Sequence, residues 1–419
     1  MNKSSLLAAI ALCVSLSLNA ANANSPQSDQ ITKSDIAILT KAAEMGNAES
    51  QHALGMCYLF GEGVAKDEQQ GIYWLEKAAN QGFAEAQCDL GMCYVDGAGI
   101  EQDYAKAFSL FEKAAAQGFG TAQFNLYLCY ASGVGVAKDN EKAISFLEKA
   151  ALQDIPDAQY DLGYLYESGG MGMKSDPEKA FYWYEKAAKN DLADAQYSLA
   201  LCYDDGYGTK QSVEHAAYWY GRAAQLGHPD AQYDLACCYE EGAGVAQSYE
   251  NAAYWYKKAA EQDDESAQYN LANLYFNGQG VSQDYDKAFS LFEKAAKKGH
   301  AKAQCNLGVC YERGNGVAQD AKQAVYWYET AANNGNTVAQ YNLGYCYDAG
   351  FGVTRDLEKA AYWYEKAANN GYAKAQFCLG DCYLHGEGVT KDVKKAKYWF
   401  EKSAAQNYSK AIEALKKIK

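Results

Sequence analysis

Cysteine is the residue type in this chain with the widest chemistry, because a thiolate can bind metals, form disulfides or act as a nucleophile. Cys378, Cys382 and His385 stand at i, i+4 and i+7 and could hold zinc on one face of a helix. Cys382, however, occupies one position of a repeated unit, where leucine stands in two other units. A position shared by cysteine and leucine indicates packing, so we predict buried free thiols and no metal. The cysteines at this position are Cys57, Cys93, Cys129, Cys202, Cys238, Cys310, Cys346 and Cys382, and the leucines are Leu165 and Leu274.

Histidine and serine give no catalytic pattern either. The other histidines are scattered, without an acid and a nucleophile at the spacing of a triad. No serine is followed by lysine three positions on, so the nucleophile motif of serine β-lactamases is absent from the sequence. The Gly-x-Gly pairs follow predicted helices rather than strands, which favours turns over phosphate loops. We therefore predict no catalytic residue and no cofactor.

These residues belong to a unit that repeats along almost the whole chain. Gln340 marks the period, and the intervals between its equivalents are 36 residues, apart from one of 37 between Gln159 and Gln196. Self-similarity at such a period is the signature of a solenoid. The equivalents are Gln51, Gln87, Gln123, Gln159, Gln196, Gln232, Gln268, Gln304 and Gln376.

Two amphipathic helices are predicted within each unit. In the copy that starts at Thr337, apolar residues recur at helical spacing from Ala339 to Tyr347, which predicts helix A. A second apolar stripe from Ala360 to Ala368 predicts helix B. All seven tryptophans share the helix B position of Trp363, so we predict that they belong to the core. They are Trp74, Trp183, Trp219, Trp255, Trp327, Trp363 and Trp399.

The residues between the helices predict where each helix begins and ends. Gly350 and Gly352 end helix A, because glycine supplies the positive φ angles of a tight connection. Asp356 is a good N-cap for helix B, and Gly371 closes it. A lone pair of such helices cannot cover its apolar face, whereas stacked copies can. We therefore predict an all-α fold, a right-handed α-solenoid of stacked helix–turn–helix repeats.

The pattern A-x-A-Q-x-x-L-G-x-x-Y-x-x-G-x-G-V, followed by D, K-A and W-Y-x-K-A-A-x-x-G, resembles the Sel-1-like repeat, a relative of the tetratricopeptide repeat. The resemblance divides the chain into a half-repeat helix at residues 33–47, ten repeats at 48–408 and a C-terminal capping helix at 409–419. It implies a scaffold that binds peptides or proteins. One exported branch, the Helicobacter cysteine-rich proteins, implies β-lactamase or penicillin-binding activity as an alternative, but its cysteine pair in each repeat is mostly a single cysteine here.

The N-terminal residues predict export. Lys3, an apolar run from Leu6 to Leu18 and the small residues before Asn24 predict a signal peptide at 1–23, cleaved after Ala23. A disordered polar segment at 24–32 follows. An exported protein with twelve remaining cysteines would suggest disulfides, but equivalent atoms in stacked hairpins lie roughly 10 Å apart, too far for a bridge. We expect a periplasmic or secreted protein without a membrane span.

Charge narrows the class of partner. The formal net charge is −15, so binding to nucleic acid through phosphate neutralisation is not expected. A cationic protein or peptide is the better partner, and we expect a monomer.

The binding surface is predicted from the helical wheel of helix A, which lines the concave face in tetratricopeptide-like stacks. Its non-core positions are +1, +5, +8 and +9, counted from the repeat's Gln, and we name them the helix A face. In the middle repeats this face carries tyrosines beside carboxylates, which could bind a basic segment. The alternative is that the tyrosines pack between helices and the acids only solubilise. The candidate residues are Tyr160, Glu167, Tyr197, Asp204, Asp205, Tyr233, Glu240, Glu241 and Tyr269.

Three functions follow from these patterns. The first is an exported, non-catalytic scaffold that binds another protein through the helix A face. The second is the β-lactamase-like or penicillin-binding activity that the resemblance implies. The third is a secreted host-interaction factor, which differs from the first in location and partner.

Overall fold

The computed structural model describes residues 32–418, which form 22 α-helices and one 3₁₀ turn and contain no strand. The prediction of an all-α chain of stacked two-helix repeats is confirmed for this part of the chain. The predicted signal peptide at 1–23 and most of the polar segment at 24–32 lie outside the described residues. Thr32, the last residue of that segment, is the N-cap of the first helix.

The helices alternate between the two predicted types. Type B helices, starting with the half-repeat, are α1 Lys33–Glu44, α3 Glu68–Asn80, α5 Tyr104–Ala116, α7 Asn140–Ala151, α9 Pro177–Ala188, α11 Val213–Gln225, α13 Tyr249–Glu261, α15 Tyr285–Lys297, α17 Ala321–Asn333, α19 Leu357–Asn369 and α21 Val393–Ala404. Type A helices are α2 Ala48–Phe60, α4 Ala84–Asp96, α6 Gly120–Ser132, α8 Pro156–Ser168, α10 Ala193–Asp205, α12 Pro229–Glu241, α14 Glu265–Asn277, α16 Ala301–Arg313, α18 Thr337–Ala349, α20 Ala373–His385 and α22 Ser409–Lys417.

The chain divides into two compact units, Met1–Trp219 and Tyr220–Lys419. Within each unit, every helix packs against the helices that precede and follow it in the chain. In the first unit a continuous core runs from Leu59 to Leu165. In the second unit each hairpin and the next helix A enclose a smaller core, such as the one from Cys305 to Cys346. The core is therefore built repeat by repeat, as stacked hairpins require.

The predicted caps begin and end the helices. Asp356 accepts a hydrogen bond from the backbone N–H of Lys359 at 3.0 Å, and the other N-cap aspartates and serines bond in the same way. Gly371 has a φ of +86°, and Asp263 adopts +70° at the equivalent position. The extra residue of repeat four is taken up by the 3₁₀ turn Gly170–Gly172, which leaves the flanking helices intact.

The glutamine that marks the period links three successive helices. Gln340 Nε2 donates to the Ala332 carbonyl at the end of α17, and its Oε1 accepts from Asn370 Nδ2 at 3.0 Å, at the end of α19. The Ala332 carbonyl also accepts from the backbone N–H of Gly335 at 3.1 Å, so the bond from Gln340 uses its remaining acceptor capacity. Most other repeats make the same two bonds, which we call the glutamine ladder. The residue that gives the period is therefore structural.

Small residues in the middle of helix A allow close approach of helix B. At Gly344 an added Cβ would lie 2.7 Å from the ring of Tyr364. The second glycine of each connection has a role that we did not predict. A Cβ on Gly352 would lie 2.2 Å from the Ala321 carbonyl oxygen, on the first turn of the preceding helix B. This glycine is thus required where one repeat rests on the previous one.

The tryptophans lie against the cores, as predicted, but most of them are less buried than we predicted. Trp74 is buried, whereas the other six are half-buried at the edge of the cores. The residue after each tryptophan is the buried one, and Tyr184, Tyr256, Tyr328 and Tyr364 are among the largest side chains with no exposure above 2%. Burial of the repeated cysteine is confirmed at seven of eight positions, with Cys238 half-buried, and the described cysteines are free thiols.

Candidate functional site

The predicted binding residues fall into one group in each unit. In the first unit the hydroxyl of Tyr207, just beyond the end of α10, donates to the backbone carbonyl of Glu167 on α8 at 3.4 Å. In the second unit α12 and α14 are linked by a 3.5 Å bond from Asn270 to Tyr233. Within each unit, the structure thus places the helix A of one repeat next to the helix A of the following repeat.

The tyrosines of the helix A face are half-buried rather than free. The ring of Tyr160 lies 5.6 Å from that of Tyr184, and Tyr233 lies 5.8 Å from Tyr256. Tyr269 packs in the same way against Phe292. These contacts support the packing alternative for the tyrosines, although none of the three is fully buried.

The carboxylates at position +8 are hydrogen-bonded to buried tyrosines of helix B. Tyr184 donates to Glu167 at 2.5 Å, and Tyr256 donates to Glu240 at 2.6 Å. A buried hydroxyl without a partner costs about 1–3 kcal/mol, so each acid stabilises its own repeat. The same bond recurs from Tyr328 to Glu312 in repeat eight and, at 3.5 Å, from Tyr364 to Asp348 in repeat nine.

The residue types at these two positions vary together in all ten repeats. Where helix B has tyrosine, position +8 of helix A is Asp or Glu, and where helix B has Phe or Leu, position +8 is apolar. The polar pairs are Glu167/Tyr184, Asp204/Tyr220, Glu240/Tyr256, Glu312/Tyr328 and Asp348/Tyr364. The apolar pairs are Leu59/Leu75, Val95/Phe111, Ala131/Leu147, Phe276/Phe292 and Leu384/Phe400. Sequence reasoning missed this role, although the covariation within the chain could have revealed it.

Position +9 differs from position +8. Asp205 and Glu241 stand at the exposed ends of α10 and α12. They belong to no tyrosine–carboxylate pair of this kind, because the acid one residue earlier holds that position. These two residues are therefore the better probes of a binding role.

A further group of acids, which was not predicted, lies at the start of α8. Burial raises the pKa of Asp161 to about 7, and the negative charge of the nearby Asp157 adds to this rise. A hydrogen bond with Tyr127 acts in the opposite direction and lowers the pKa. Burial also raises the pKa of Asp157, and Asp194 on α10 adds to that shift. These acids stand at positions −2 and +2 from the repeat's Gln, outside the helix A face as defined above.

The zinc hypothesis gains no support from the geometry. Burial is the main cause that raises the pKa of Cys378 and of Cys382 to about 12, which disfavours the thiolate form of both side chains. His385 instead lies 3.5 Å from Asp381 on its own helix. Among residues 32–418 no group of three potential ligands is placed to hold a metal ion.

A helix that crosses a membrane needs about twenty consecutive, mostly apolar residues. No helix within the described range is both long enough and apolar enough to cross one.

Comparison with known proteins identifies the repeat. A family model described as Sel1 repeat matches ten successive segments, from 48–83 through 373–408. The crystal structure of c5321, described as a protective antigen of uropathogenic Escherichia coli with an SLR fold, is 35% identical with a TM-score of 0.84. That match covers 91% of this chain and 82% of c5321. A Sel1 repeat protein from Oxalobacter formigenes is 38% identical, with a TM-score of 0.50, over 72% of this chain and 87% of that one. None of the curated proteins matches the chain.

Proposed function

This chain belongs to the Sel1-repeat family, and we propose that it is an exported, non-catalytic scaffold that binds another protein through the helix A face. Repeat proteins of this kind generally bind proteins. The recurring residues hold the stacked repeats together. They are the glutamines of the glutamine ladder, the connecting glycines and the buried aromatic residue of helix B. Accessible positions that differ between repeats are left on the helix A face, where a specific partner would be recognised.

The observation that carries this proposal is the charge of three consecutive helices A. Helices α8, α10 and α12 together contain ten carboxylates and no lysine or arginine. The bias extends beyond them, since residues 48–264 contain 34 acidic and 15 basic residues, whereas 265–419 contain 16 and 20. A basic segment of another protein is the partner that these helices favour within each unit, because complementary charge speeds association and disfavours acidic competitors.

A secreted host-interaction factor is the second candidate function. It is favoured by the relative described as a protective antigen of uropathogenic E. coli, which matches this chain over most of its length. The predicted signal peptide at 1–23 agrees with either location, periplasm or medium. Fractionation of the native host, with the protein detected in medium, periplasm and cytoplasm, separates the two candidates.

The β-lactamase-like alternative has no supporting observation in the described residues. Seven of the eight repeated cysteines are buried, and burial raises the pKa of thiols such as Cys93 and Cys310 to about 12. A nitrocefin assay on the purified protein, with a heat-treated control, tests this alternative directly.

The scaffold proposal is tested with acids that have no structural partner of their own. Asp205→Ser and Glu241→Ser together remove two exposed charges from the helix A face without touching a tyrosine–carboxylate pair. The matched control is Glu329→Ser with Glu365→Ser, two exposed acids in the middle of helices B. We expect proximity labelling in the native host to lose partners in the first variant and to keep them in the control. Equal recovery from both variants would refute the assignment of the helix A face.

A further inference from the structure

Two neighbouring helices A in the first unit carry an exposed apolar side chain at the same position of the repeat. Tyr164 on α8 is 53% exposed and Leu201 on α10 is 36% exposed, both at position +5. Large apolar side chains exposed side by side in a soluble repeat indicate a contact surface rather than a core.

Contacts link the two repeats before and after Tyr164 along the chain. One turn before Tyr164, burial raises the pKa of Tyr160, and the hydroxyl of Ser198 on α10 is near enough to lower that pKa in part. At the other end, the hydroxyl of Tyr207 donates to the backbone carbonyl of Glu167 at 3.4 Å. Tyr164 and Leu201 occupy the same repeat position on two successive helices A of the first unit.

Carboxylates lie on both sides of this pair along the chain. Asp157 precedes Tyr164 on α8, and Glu167 follows it. On α10, Asp194 precedes Leu201, and Asp205 lies beyond it at the exposed end of the helix. An apolar centre with a charged rim is the usual anatomy of a protein interface.

The combination occurs in one place among the described repeats. At position +5 the other helices A carry half-buried or buried residues, with one exception, Tyr345 at 52% exposure. Its neighbours at that position are Val309, which is half-buried, and Asp381, which is polar. Tyr345 is therefore a single exposed ring, whereas Tyr164 and Leu201 form a pair.

We propose that α8 and α10 bind a short amphipathic segment whose central apolar side chains pack on Tyr164 and Leu201 and whose flanking lysines or arginines pair with the carboxylates on either side. This inference rests on the proposed scaffold function and specifies the chemistry of the partner. Charge complementarity selects a basic segment: neither helix contains a lysine or arginine, so an acidic segment would meet repulsion at both rims. Tyrosine suits the central role, because it gives a large contact area at low entropic cost.

The test uses a fluorescein-labelled synthetic peptide with lysines at both ends and a pair of leucines in the centre, measured by fluorescence anisotropy on the purified full-length protein. We expect Tyr164→Ser with Leu201→Ser to weaken binding at least about tenfold. Tyr345→Ser, an exposed tyrosine at the same repeat position, should leave the affinity unchanged, and so should Tyr164→Phe. Circular dichroism melting of each variant shows that the fold is retained.

Two altered peptides separate the apolar and the charged parts of the proposal. Replacing the central leucines with serine should weaken binding as much as the double variant does, and replacing the lysines with glutamate should abolish it. The proposal is overturned if the wild type does not bind the parent peptide, or if the double variant binds it with wild-type affinity. It is also overturned if the serine peptide binds as well as the parent, since charge alone would then account for the interaction. None of these outcomes contradicts the scaffold function. That proposal fails only if the Asp205→Ser and Glu241→Ser variant recovers as many partners in the host as the control.

Discussion

A buried tyrosine hydroxyl needs an acceptor, and in repeat eight Glu312 accepts the hydrogen bond of Tyr328. We expect Glu312→Leu to lower the free energy of unfolding by about 1–3 kcal/mol, because the hydroxyl is left buried without a partner. Adding Tyr328→Phe should restore most of the loss, since repeat seven already pairs Phe276 with Phe292 at these positions.

Urea unfolding of the two single variants and the double variant gives the coupling energy of the pair. Phe276→Leu is the control, because position +8 of repeat seven accepts no such bond. A double variant as unstable as the sum of its single variants would contradict the pairing.

The raised pKa of Asp161 makes stability depend on pH. Because the folded pKa of about 7 lies above the ordinary value of 3.8, the folded state binds more protons than the unfolded state between these values. Stability should therefore fall as the pH rises through this window, by on the order of 1 kcal/mol for a half-buried group. Asp161→Asn should flatten the profile, and asparagine already stands at the equivalent Asn125 and Asn306.

Melting temperatures between about pH 5 and pH 8 measure this effect. The exposed Asp205 provides the control, as Asp205→Asn should leave the slope of the wild type unchanged. An Asp161→Asn profile parallel to that of the wild type would show that Asp161 titrates at its ordinary value.

At the scale of the helices, the glutamine ladder has a gap that can be closed. Gln268 Oε1 has no hydrogen-bond partner in the described part of the chain, and the residue thirty positions on is Lys298, which bonds the Asp263 carbonyl instead. In the preceding repeat, Gln262 bonds both the equivalent carbonyl and the ladder glutamine. We expect Lys298→Gln to make both bonds and to raise the free energy of unfolding by about 0.5–1 kcal/mol, after loss of an exposed ion pair.

The midpoint of urea unfolding measures the gain. Lys297→Gln removes a neighbouring lysine that pairs with Glu293 on the surface, so it should lower the midpoint slightly or leave it unchanged. A Lys298→Gln midpoint at or below that of the Lys297→Gln control would contradict the ladder as a source of stability.

Helix boundaries could be predicted from the sequence because the capping residues act locally. Asp356 and Gly371 begin and end their helix through bonds and dihedral angles set within a few residues. The choice between Trp363 and Tyr364 as the buried aromatic could not be made in this way. Adjacent residues both fall within a wide apolar stripe, and the rotation of the helix is set by contacts with its neighbours.

The contacts that the candidate carboxylates make within the fold could not be predicted from one repeat position. When position +8 of helix A is compared between repeats, Glu167 and Glu240 look like members of a row of surface acids. These carboxylates instead accept hydrogen bonds from Tyr184 and Tyr256 on helix B. Only a comparison of position +8 with the helix B position across the repeats detects this pairing. The exposure of Tyr164 and Leu201 could not be predicted from the chain either, because the equivalent Met92 and Leu128 are buried.

For the whole molecule, stacking in series predicts that damage stays local, since each repeat contacts only its neighbours. Gly352→Ala would place a Cβ 2.2 Å from the Ala321 carbonyl at a φ of +70°. We expect a loss of about 2–4 kcal/mol in the repeats around it. Amide hydrogen exchange should accelerate in α17 to α19 and stay at wild-type rates in α2 to α6.

Gly371→Ala is the matched control, because Gly371 also has a positive φ but would meet no atom within 4 Å. Its expected cost is about 1–2 kcal/mol, from the backbone angle alone. Uniform acceleration of exchange from α2 to α22 in the Gly352→Ala protein would mean that the chain unfolds as a single cooperative body.

The glutamine ladder also bears on how such a chain can evolve. Most of its glutamines donate to a carbonyl eight residues earlier, across the border between two repeats, and most accept from a residue thirty positions further on in their own repeat. A recombination event that adds or deletes one full repeat leaves every remaining glutamine with its partners at the right distance, whereas a shift by part of a repeat separates them. Gene variants of this protein should accordingly differ in copy number by whole repeats, with odd lengths tolerated in the connections between helix A and helix B, as at Gly170–Gly172.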